Sequence, residues 1–475
     1  MLDNYLTSAY NLAPYTLYEE PLAPLTGTQS QLPVILSEYR FYKISDIDNY
    51  LKLLTRTPEY FRSILNFEHT KSESGLFMAS YTADSIIKEC RDFVNLKESN
   101  YLYSSFVERL EELASARDGV LTEKQREAYT RQNNVYIKKY IFPAYEQLIS
   151  GLSELRSSGK NNNGLCYLPN GRTYYEYLVR SETGSSRSIA ELQNLANAQI
   201  LSDLTVMQRV LTEDFSDSSS VTSDIFSLQG TLLTESDPEK ILSTLSGKIT
   251  KDFPPYPQIH TQIKYVQKSM EDYLSPAFYM IPAIDNTSEN VIYINNGHLT
   301  DNLSLFTTLA HEGYPGHLYQ NVYYASLHPD PIRCVLNYGG YTEGWATYSE
   351  MMSYYFSTLT KEQATLFQRN SSVILGLYAL ADMGIHYDGW KLADAAAFFH
   401  TYGITDDATI ENIYDLIIAD PANYLKYYIG YLEFLELKKN AVDKWGDNFT
   451  QMRFHKAVLD VGPASFDVIQ KYVFK

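Results

Sequence analysis

The chain has 475 residues, of which 44% are hydrophobic and 20% are charged. This composition is typical of a folded globular protein and excludes a disordered chain, which is poor in apolar residues and rich in charge. Acidic residues outnumber basic ones by 57 to 39, which gives a net charge of −18. Because phosphate binding depends on clustered Lys and Arg, and no such cluster is visible, we exclude nucleic acids as partners.

The cysteines and the apolar runs limit the class of protein further. Cys90, Cys166 and Cys334 are widely spaced and form no CxxC pair, so they predict neither a disulfide framework nor a cysteine-ligated zinc site. The N-terminus lacks the basic and apolar regions of a signal peptide. No apolar run reaches the roughly 18 residues of a membrane-spanning helix, so we expect no transmembrane segment. The oligomeric state is not specified by any pattern in the sequence.

In chain order, most segments have apolar residues at three-and-four spacing, which predicts a mainly α-helical fold without internal repeats. The helical segments include 47–54, 85–113, 123–155, 189–211 and 424–442. Asn and Gly residues at 161–164 and 170–171 predict a short hairpin or a tight turn.

The region around residues 278–294 departs from the helical pattern. Phe278–Ile281 and Val291–Ile294 are β-branched and aromatic, and a turn-forming segment separates them, which predicts a β-hairpin. Thr300 or Asp301 is then expected to cap a helix that runs into the next motif. We place a soft boundary near residue 275, between an N-terminal helical lobe, 1–275, and a catalytic lobe, 276–475. The two lobes are expected to form one domain around a cleft.

The segment 311–317, HEGYPGH, contains the residue types of a zinc site. In an ordinary H-E-x-x-H motif the two histidines lie four residues apart on one face of a helix. A separation of six residues turns the second histidine by about 120° on a regular helix. Pro315 and Gly316 are expected to break the helix and re-aim His317 toward His311. The alternative is a capped helix end with two unrelated histidines.

A catalytic zinc keeps three protein ligands and one open position, so a third ligand is required. Glu343 in GGYTEGWA follows His317 by 26 residues, and a neighbouring helix could present its carboxylate to the histidines. The alternative is that Glu343 only complements the N-terminus of its own helix. Glu350, two turns later on the same face, is a candidate for orienting a ligand.

HEGYPGH followed by GGYTEGWATYSE closely resembles the bacterial HExxPGH domain-of-unknown-function family, which is placed among the thermolysin-like, or gluzincin, zinc metallopeptidases. The likeness also covers LPVILSEYRFY, GLCYLPNGRTYYEYLVRSETG, ENVIYINNG, DMGIHYDGW and FHKAVLDVGPASFDVI. It implies that His311, His317 and Glu343 bind zinc and that Glu312 is the catalytic base. It also implies a large helical zincin-like fold with a deep cleft and a small β-hairpin or sheet beside the active-site helix.

The segment from Asp420 to Tyr431 is similar to the late helix of helical dipeptidyl carboxypeptidases such as angiotensin-converting enzyme. By this resemblance, Tyr427 stabilises the oxyanion and Tyr424 helps to hold the substrate carboxylate. Tyrosines at this spacing also form the stripe of an ordinary half-buried helix, so that alternative stays open.

Two further sets of residues are candidates for contact with the substrate. His386 lies one helical turn after Asp382, which could fix its tautomer, and is a candidate catalytic residue; a satisfied core histidine is the alternative. Strand 291–295 is expected to pair edge-on with an extended peptide, so Tyr293 and Asn295 are candidate substrate ligands.

These observations together predict zinc-dependent hydrolysis of peptide bonds, with Glu312 activating the metal-bound water. One alternative is a degenerate, metal-free protein that binds peptides. The other is a metal-dependent hydrolase of a non-peptide amide or ester. Relatives of this kind in Gram-positive bacteria look like secreted lipoproteins, so we expect an extracellular or cell-surface location with the signal removed, and a cytoplasmic location is the alternative.

Overall fold

The computed structural model describes residues 1–116, 120–213, 232–268, 271, 274–284, 286–299 and 301–475. These residues form a mainly helical protein with one small sheet, so the predicted fold class is confirmed at this level. Within these ranges, the structure has no helix that combines the length and apolarity needed to cross a bilayer. Of the two predicted caps, Asp301 accepts a hydrogen bond from Ser304 N at 2.9 Å, whereas Thr300 lies outside the described residues.

The helices occupy both halves of the chain. In the first half they are α1 (Leu2–Leu12), α2 (Thr28–Ser37), α3 (Ile44–Glu73), α4 (Ser80–Asn95), α5 (Tyr101–Ala116), α6 (Glu123–Tyr136), α7 (Phe142–Leu155), α8 (Gly171–Thr183) and α9 (Ile189–Glu213). In the second half they are α10 (Pro238–Ile249), α11 (Asn302–Glu312), α12 (His317–Ser326), α13 (Gly339–Ser353), α14 (Lys361–Met383), α15 (Leu392–Thr401), α16 (Asp407–Ala419), α17 (Asn423–Trp445), α18 (Gln451–Val461) and α19 (Phe466–Val473).

The periodicity of the sequence located the helices more reliably than their breaks. Segment 85–113, predicted as one helix, contains α4 and α5, because Asn100 ends the first helical run and its Oδ1 accepts a hydrogen bond from Leu102 N at 3.1 Å. The predicted turn at 161–164 is confirmed, since Asn161 Oδ1 accepts from Asn163 N at 3.0 Å. The alternative of a hairpin is wrong, because a short 3-10 turn and then α8 follow.

The sheet has three strands, β1 (His260–Tyr265), β2 (Ala277–Met280) and β3 (Glu289–Ile294), in the order β1-β3-β2. Strands β2 and β3 are antiparallel, which confirms the predicted hairpin, and β1 pairs in parallel with the other side of β3. Because β3 is paired along both edges, strand 291–295 cannot add a peptide edge-on as expected. The edge strand near the histidine motif is β2 instead.

In the part of the chain that the structure describes, buried side chains form two hydrophobic cores, and the sheet lies between them. One core takes residues from 22–155 together with a few from the sheet region, and the other extends from Tyr175 to Val473. Alternate residues of β3 enter different cores: Val291 is in the first and Ile292 is in the second. This is the consequence of the two-residue period of a strand. The division at residue 275 stays a prediction.

Helices α13 and α17 cross at glycines. A Cβ added to Gly344 would lie 2.4 Å from the carbonyl carbon of Gly430, and one added to Gly430 would lie 2.2 Å from the carbonyl oxygen of Gly340. The two backbones are therefore in direct contact. This close approach fixes the position of Glu343 on α13 relative to Tyr427 on α17.

Replacing Gly430 with alanine is expected to lower the free energy of unfolding by about 1–3 kcal/mol, because the added methyl meets backbone atoms that cannot rotate away. Urea denaturation measures the change. The matched control is Gly247→Ala on α10, where an added Cβ meets nothing within 4 Å. This control is expected to be neutral or to stabilise by about 0.5–1 kcal/mol. Equal small effects of the two substitutions would contradict the proposed helix contact.

Candidate functional site

The HEGYPGH segment joins two helices instead of continuing one. Helix α11 ends at Glu312, and Gly313 then leaves the helical conformation with φ −107° and ψ −100°. Helix α12 begins at His317, after Gly316 with φ −77° and ψ −135°. The predicted break between the two histidines is therefore confirmed.

The break folds the chain back onto the end of α11. Gly316 N donates to the carbonyl oxygen of Ala310 at 3.0 Å. A Cβ at Gly316 would lie 1.7 Å from the carbonyl oxygen of His311, so only glycine fits here. Trp345 Nε1 of α13 donates to the carbonyl oxygen of Pro315 at 2.8 Å and ties the turn to the next helix.

This turn brings His311 and His317 together with Glu343. Glu343 Oε2 lies 3.6 Å from His311 Nε2 and 3.2 Å from His317 Nε2. One ligand atom from each of the three residues lies within 4.8 Å of the other two, a spacing at which they could hold a metal ion. The three predicted ligands are thus assembled, and their side chains are mostly buried.

Glu350 occupies the position that the sequence predicted for an orienting residue. Its Oε2 lies 3.0 Å from His311 Nδ1. A carboxylate on one ring nitrogen fixes the ring and directs the other nitrogen to the ligand position. For His311, this leaves Nε2 facing Glu343 and His317.

The charges in the cluster favour a cation. Burial lowers the pKa of His311, but its hydrogen bonds to Glu343 and Glu350 outweigh burial and raise the pKa well above its ordinary value. Burial raises the pKa of Glu343, but the charges of His317 and His311 hold it well below its usual range. The carboxylates of Glu312, Glu343 and Glu350 therefore create a negative environment around the two imidazoles.

Glu312 is buried beside His311 and faces the edge of the sheet. Its Oε2 accepts a hydrogen bond from Tyr279 N of β2 at 2.8 Å. Burial raises the pKa of Glu312, while the charges of His317 and His311 oppose this shift. The strand and α11 thus hold the carboxylate in a fixed orientation.

A cavity of about 590 Å³ opens over this cluster. Tyr427 of α17 lines it, with its ring 6.2 Å from that of His311, at an interplanar angle of 28°. The edge strand β2 forms one wall, and Asn321 of α12 also lines the cavity. Neither Asn321 nor Tyr279 was predicted from the sequence as a site residue. The four-residue spacing between His317 and Asn321, which places both on one helix face, was the available signal.

A family model described as bacterial protein of unknown function (DUF885) matches residues 1–473. The chain belongs to the DUF885 family. No curated protein matches this DUF885 chain.

Two solved structures resemble the DUF885 protein in fold. One is "the putative lipoprotein from Colwellia psychrerythraea", with a TM-score of 0.84 and 20% identity over 95% of this chain and 80% of that one. The other is "a putative lipoprotein of unknown function from Shewanella oneidensis", with a TM-score of 0.67 and 16% identity over 100% of this chain and 86% of that one. At these identities the likeness shows the fold alone.

Three predicted substrate ligands of the DUF885 protein lie outside the cavity. Tyr424 packs against Tyr378, with 5.1 Å between the ring centroids. Tyr293 enters the first core, on the face of the sheet away from the histidines. Asn295 is buried and its Nδ2 donates to two backbone carbonyls, at 2.8 and 2.9 Å. The substrate role of these residues stays a prediction that the cavity does not support.

The predicted pair of Asp382 and His386 does not form among the described residues. His386 Nδ1 accepts from Leu165 N at 3.2 Å, so its Nε2 carries the proton that is donated to the carbonyl oxygen of Ile417 at 2.8 Å. Asp382 instead accepts from the hydroxyl of Tyr175 and from Ala422 N. The geometry matches the alternative of a satisfied core histidine, and a catalytic role for His386 stays a prediction.

Acid is expected to destabilise the DUF885 protein through His386. Burial lowers the pKa of His386 to about 4, below its unfolded value of 6.5. The unfolded chain therefore takes up the proton first, so this contribution to stability is present above pH 6.5 and is lost as the pH falls toward 4. Between pH 7 and pH 5 we expect a loss of about 2 kcal/mol from this group.

Urea denaturation of His386→Ala at both pH values checks this expectation. At pH 7 the variant should be less stable by about 2–4 kcal/mol, because a cavity forms and Leu165 N loses its partner. Its further loss at pH 5 should be smaller than that of the wild type. His400→Ala, on an exposed side chain, is the control and should change neither value. An unchanged acid dependence in His386→Ala would contradict the prediction.

Proposed function

We propose that this DUF885 protein is a zinc-dependent peptidase that hydrolyses peptide bonds. The observation that carries the proposal is the convergence of His311, His317 and Glu343 beside Glu312 in one open cavity. This arrangement supports the gluzincin-type, zincin-like metallopeptidase fold and the deep cleft that the HExxPGH resemblance implies.

The donor set fits zinc. Two imidazole nitrogens and one carboxylate oxygen form a common catalytic zinc site, which leaves the fourth position open. Two atoms bound to one tetrahedral ion at about 2.1 Å lie about 3.4 Å apart. Glu343 Oε2 lies 3.6 and 3.2 Å from the Nε2 atoms of His311 and His317, so a common ion requires only small adjustments. His311, His317 and Glu343 would hold the ion.

When bound, zinc supplies a Lewis acid that acidifies water and polarises a substrate carbonyl. Glu312 acts as the general base, taking a proton from the attacking water and passing it to the leaving nitrogen. Its orientation is favourable because Tyr279 N holds Oε2, and burial makes its carboxylate a stronger proton acceptor. Tyr427 lines the cavity, and its hydroxyl would donate to the carbonyl oxygen as negative charge develops there.

Strand β2 offers an edge to an extended peptide. Hydrogen-bonded and non-hydrogen-bonded pairs of residues alternate along an antiparallel ladder. Asn295 N donates to the carbonyl oxygen of Pro276, so Pro276 and Asn295 form a hydrogen-bonded pair and the next pair along the ladder does not. Ala277 and Tyr279 therefore direct their backbone groups away from β3. Tyr279 N is used by Glu312, and the other groups favour pairing with the main chain of a peptide. This edge replaces the β3 edge expected from the sequence.

The cluster and the edge strand also bear on the two alternative functions, a metal-free peptide-binding protein and a hydrolase of non-peptide amides or esters. The assembled ligands favour a metal-dependent protein over a degenerate, metal-free peptide-binding protein. A hydrolase of a non-peptide amide or ester would use the same residues, and the outer edge of β2 favours the peptide substrate.

A location at the cell surface or outside the cell is part of the proposal. Both similar structures are described as "putative lipoprotein", which supports an anchored or exported protein. The attribution to a Gram-positive bacterium stays a prediction, as does the alternative of a cytoplasmic protein.

Protein purified without chelator is expected to contain one zinc ion per chain by elemental analysis, and added zinc should raise the melting temperature of the apoprotein. His317→Ala should lose both properties because it removes a ligand. Glu312→Gln should retain zinc and lose at least about 100-fold in cleavage of a peptide library, because the proton acceptor is gone. A zinc-free wild type that zinc does not stabilise would overturn the proposal, and undiminished cleavage by Glu312→Gln would mean that the base is another residue.

Tyr427→Phe is expected to lower kcat by about 100-fold with little change in KM, because the hydroxyl acts only when the oxyanion forms. Steady-state kinetics on a cleaved peptide measures both constants. Tyr424→Phe is the matched control: it removes a hydroxyl one turn earlier on α17, outside the cavity lining, and should change kcat by less than about threefold. Equal effects of the two substitutions would refute the role of Tyr427.

A further inference from the structure

Tyr279 connects the edge strand to a chain of side-chain hydrogen bonds that ends in the cavity. Its backbone N holds Glu312, and its hydroxyl donates to Asn290 Oδ1 at 2.5 Å. Asn321 Nδ2 donates to the same hydroxyl oxygen at 3.1 Å. One residue therefore contacts both the proposed base and a polar side chain of the cavity wall.

Asn290 is the buried end of this series of hydrogen bonds, and it sets the direction of every bond in the series. Asn290 Nδ2 donates to the carbonyl oxygen of Thr287 at 3.3 Å, so Asn290 turns its Oδ1 toward Tyr279. An amide oxygen only accepts, and the single hydroxyl proton of Tyr279 must therefore go to Asn290. The hydroxyl oxygen is left to accept, and Asn321 must offer its NH2 group to it. The hydrogen bonds from Asn290 to Tyr279 and on to Asn321 therefore set which atom of the Asn321 amide is nitrogen and which is oxygen.

Asn321 consequently presents its oxygen, Oδ1, as a free acceptor. Within the described residues this oxygen receives no hydrogen bond, although the side chain is partly buried and lines the cavity. His317 lies four residues earlier on α12, so both side chains extend from one helix face. The acceptor thus lies on the wall between the edge strand and the proposed zinc ligands.

We propose that Asn321 accepts a hydrogen bond from a main-chain N–H of the substrate, and that this contact makes the site select peptide amides over esters. The inference rests on the proposed peptidase function and names a specificity-determining residue for it. A backbone ester has an oxygen in place of the N–H. It therefore offers no donor, and its oxygen would face Oδ1 of Asn321, which is also an acceptor. A fixed acceptor discriminates between the two classes of substrate because the network prevents the amide from flipping to present its NH2.

A backbone-ester scan tests the proposal. A peptide that the wild type cleaves is resynthesised with one ester bond at each position in turn from two residues before the cleaved bond to two residues after it. Binding of each zinc-dependent complex is measured by calorimetry in the Glu312→Gln background, with and without Asn321→Leu. We expect Asn321→Leu to weaken binding of the all-amide peptide by about 3- to 10-fold. At one position, the ester peptide should bind the protein that retains Asn321 about 3- to 10-fold more weakly than the all-amide peptide does. For that ester peptide, Asn321→Leu should cause no further loss of binding.

A second pair of variants tests the network itself. Tyr279→Phe removes the hydroxyl that orients Asn321, and it should weaken binding of the all-amide peptide while reducing the difference between the amide and ester at that position. Tyr50→Phe, in the first core on α3, is the control and should change neither value. Unchanged zinc content and circular dichroism show that the variants are folded.

The outcomes separate the inference from the proposed function. If the wild type with zinc cleaves no peptide, the peptidase proposal fails and the inference fails with it. If the peptide is cleaved but Asn321→Leu leaves binding of the all-amide peptide unchanged, the role of Asn321 is overturned. The same holds if Asn321→Leu weakens binding of the all-amide peptide and of every ester peptide equally. In both cases the peptidase proposal stands.

Discussion

The site depends on the interruption of one helix between Glu312 and His317. On a continuous helix the two histidines would diverge by about 120°, and no single ion could bind both. The chain instead folds back over the end of α11, where Gly316 N takes the carbonyl oxygen of Ala310 and no side chain fits at residue 316. The bond from Trp345 to Pro315 joins this turn to α13, so the same interruption that re-aims His317 also positions the helix that carries Glu343.

The sequence was sufficient for the parts of the site that are local. The break at Pro315 and Gly316 is a property of two adjacent residues in the segment HEGYPGH. The assembly of His311, His317 and Glu343 was anticipated for these reasons and from family resemblance. The contact between α13 and α17 at Gly344 and Gly430 sets the position of Glu343 relative to Tyr427. Such a contact between glycines distant in sequence leaves no periodic pattern.

The predicted contact between Asp382 and His386 and the predicted surroundings of Tyr293 differ from the structure. His386 and Asp382 lie one turn apart, but each has a partner from a distant segment, and spacing does not indicate which partner a buried polar group finds. Tyr293 alternates with Ile292 along β3, yet the alternation does not tell which core each face meets. Strand β1 was missed because its half-exposed residues, HTQIKY, lack the apolar run that marked β3.

The convergence of these residues concentrates negative charge, which has an energetic cost. Burying a carboxylate is costly unless a positive charge or hydrogen bonds accompany it. Around two imidazoles the structure gathers Glu312, Glu343 and Glu350, and Tyr279 N provides a hydrogen bond to only one of them. The proposed zinc ion would offset this negative charge while using both Nε2 atoms as ligands. Because a histidine must be deprotonated to bind a metal, the proposed zinc ion would compete with protons for these nitrogens.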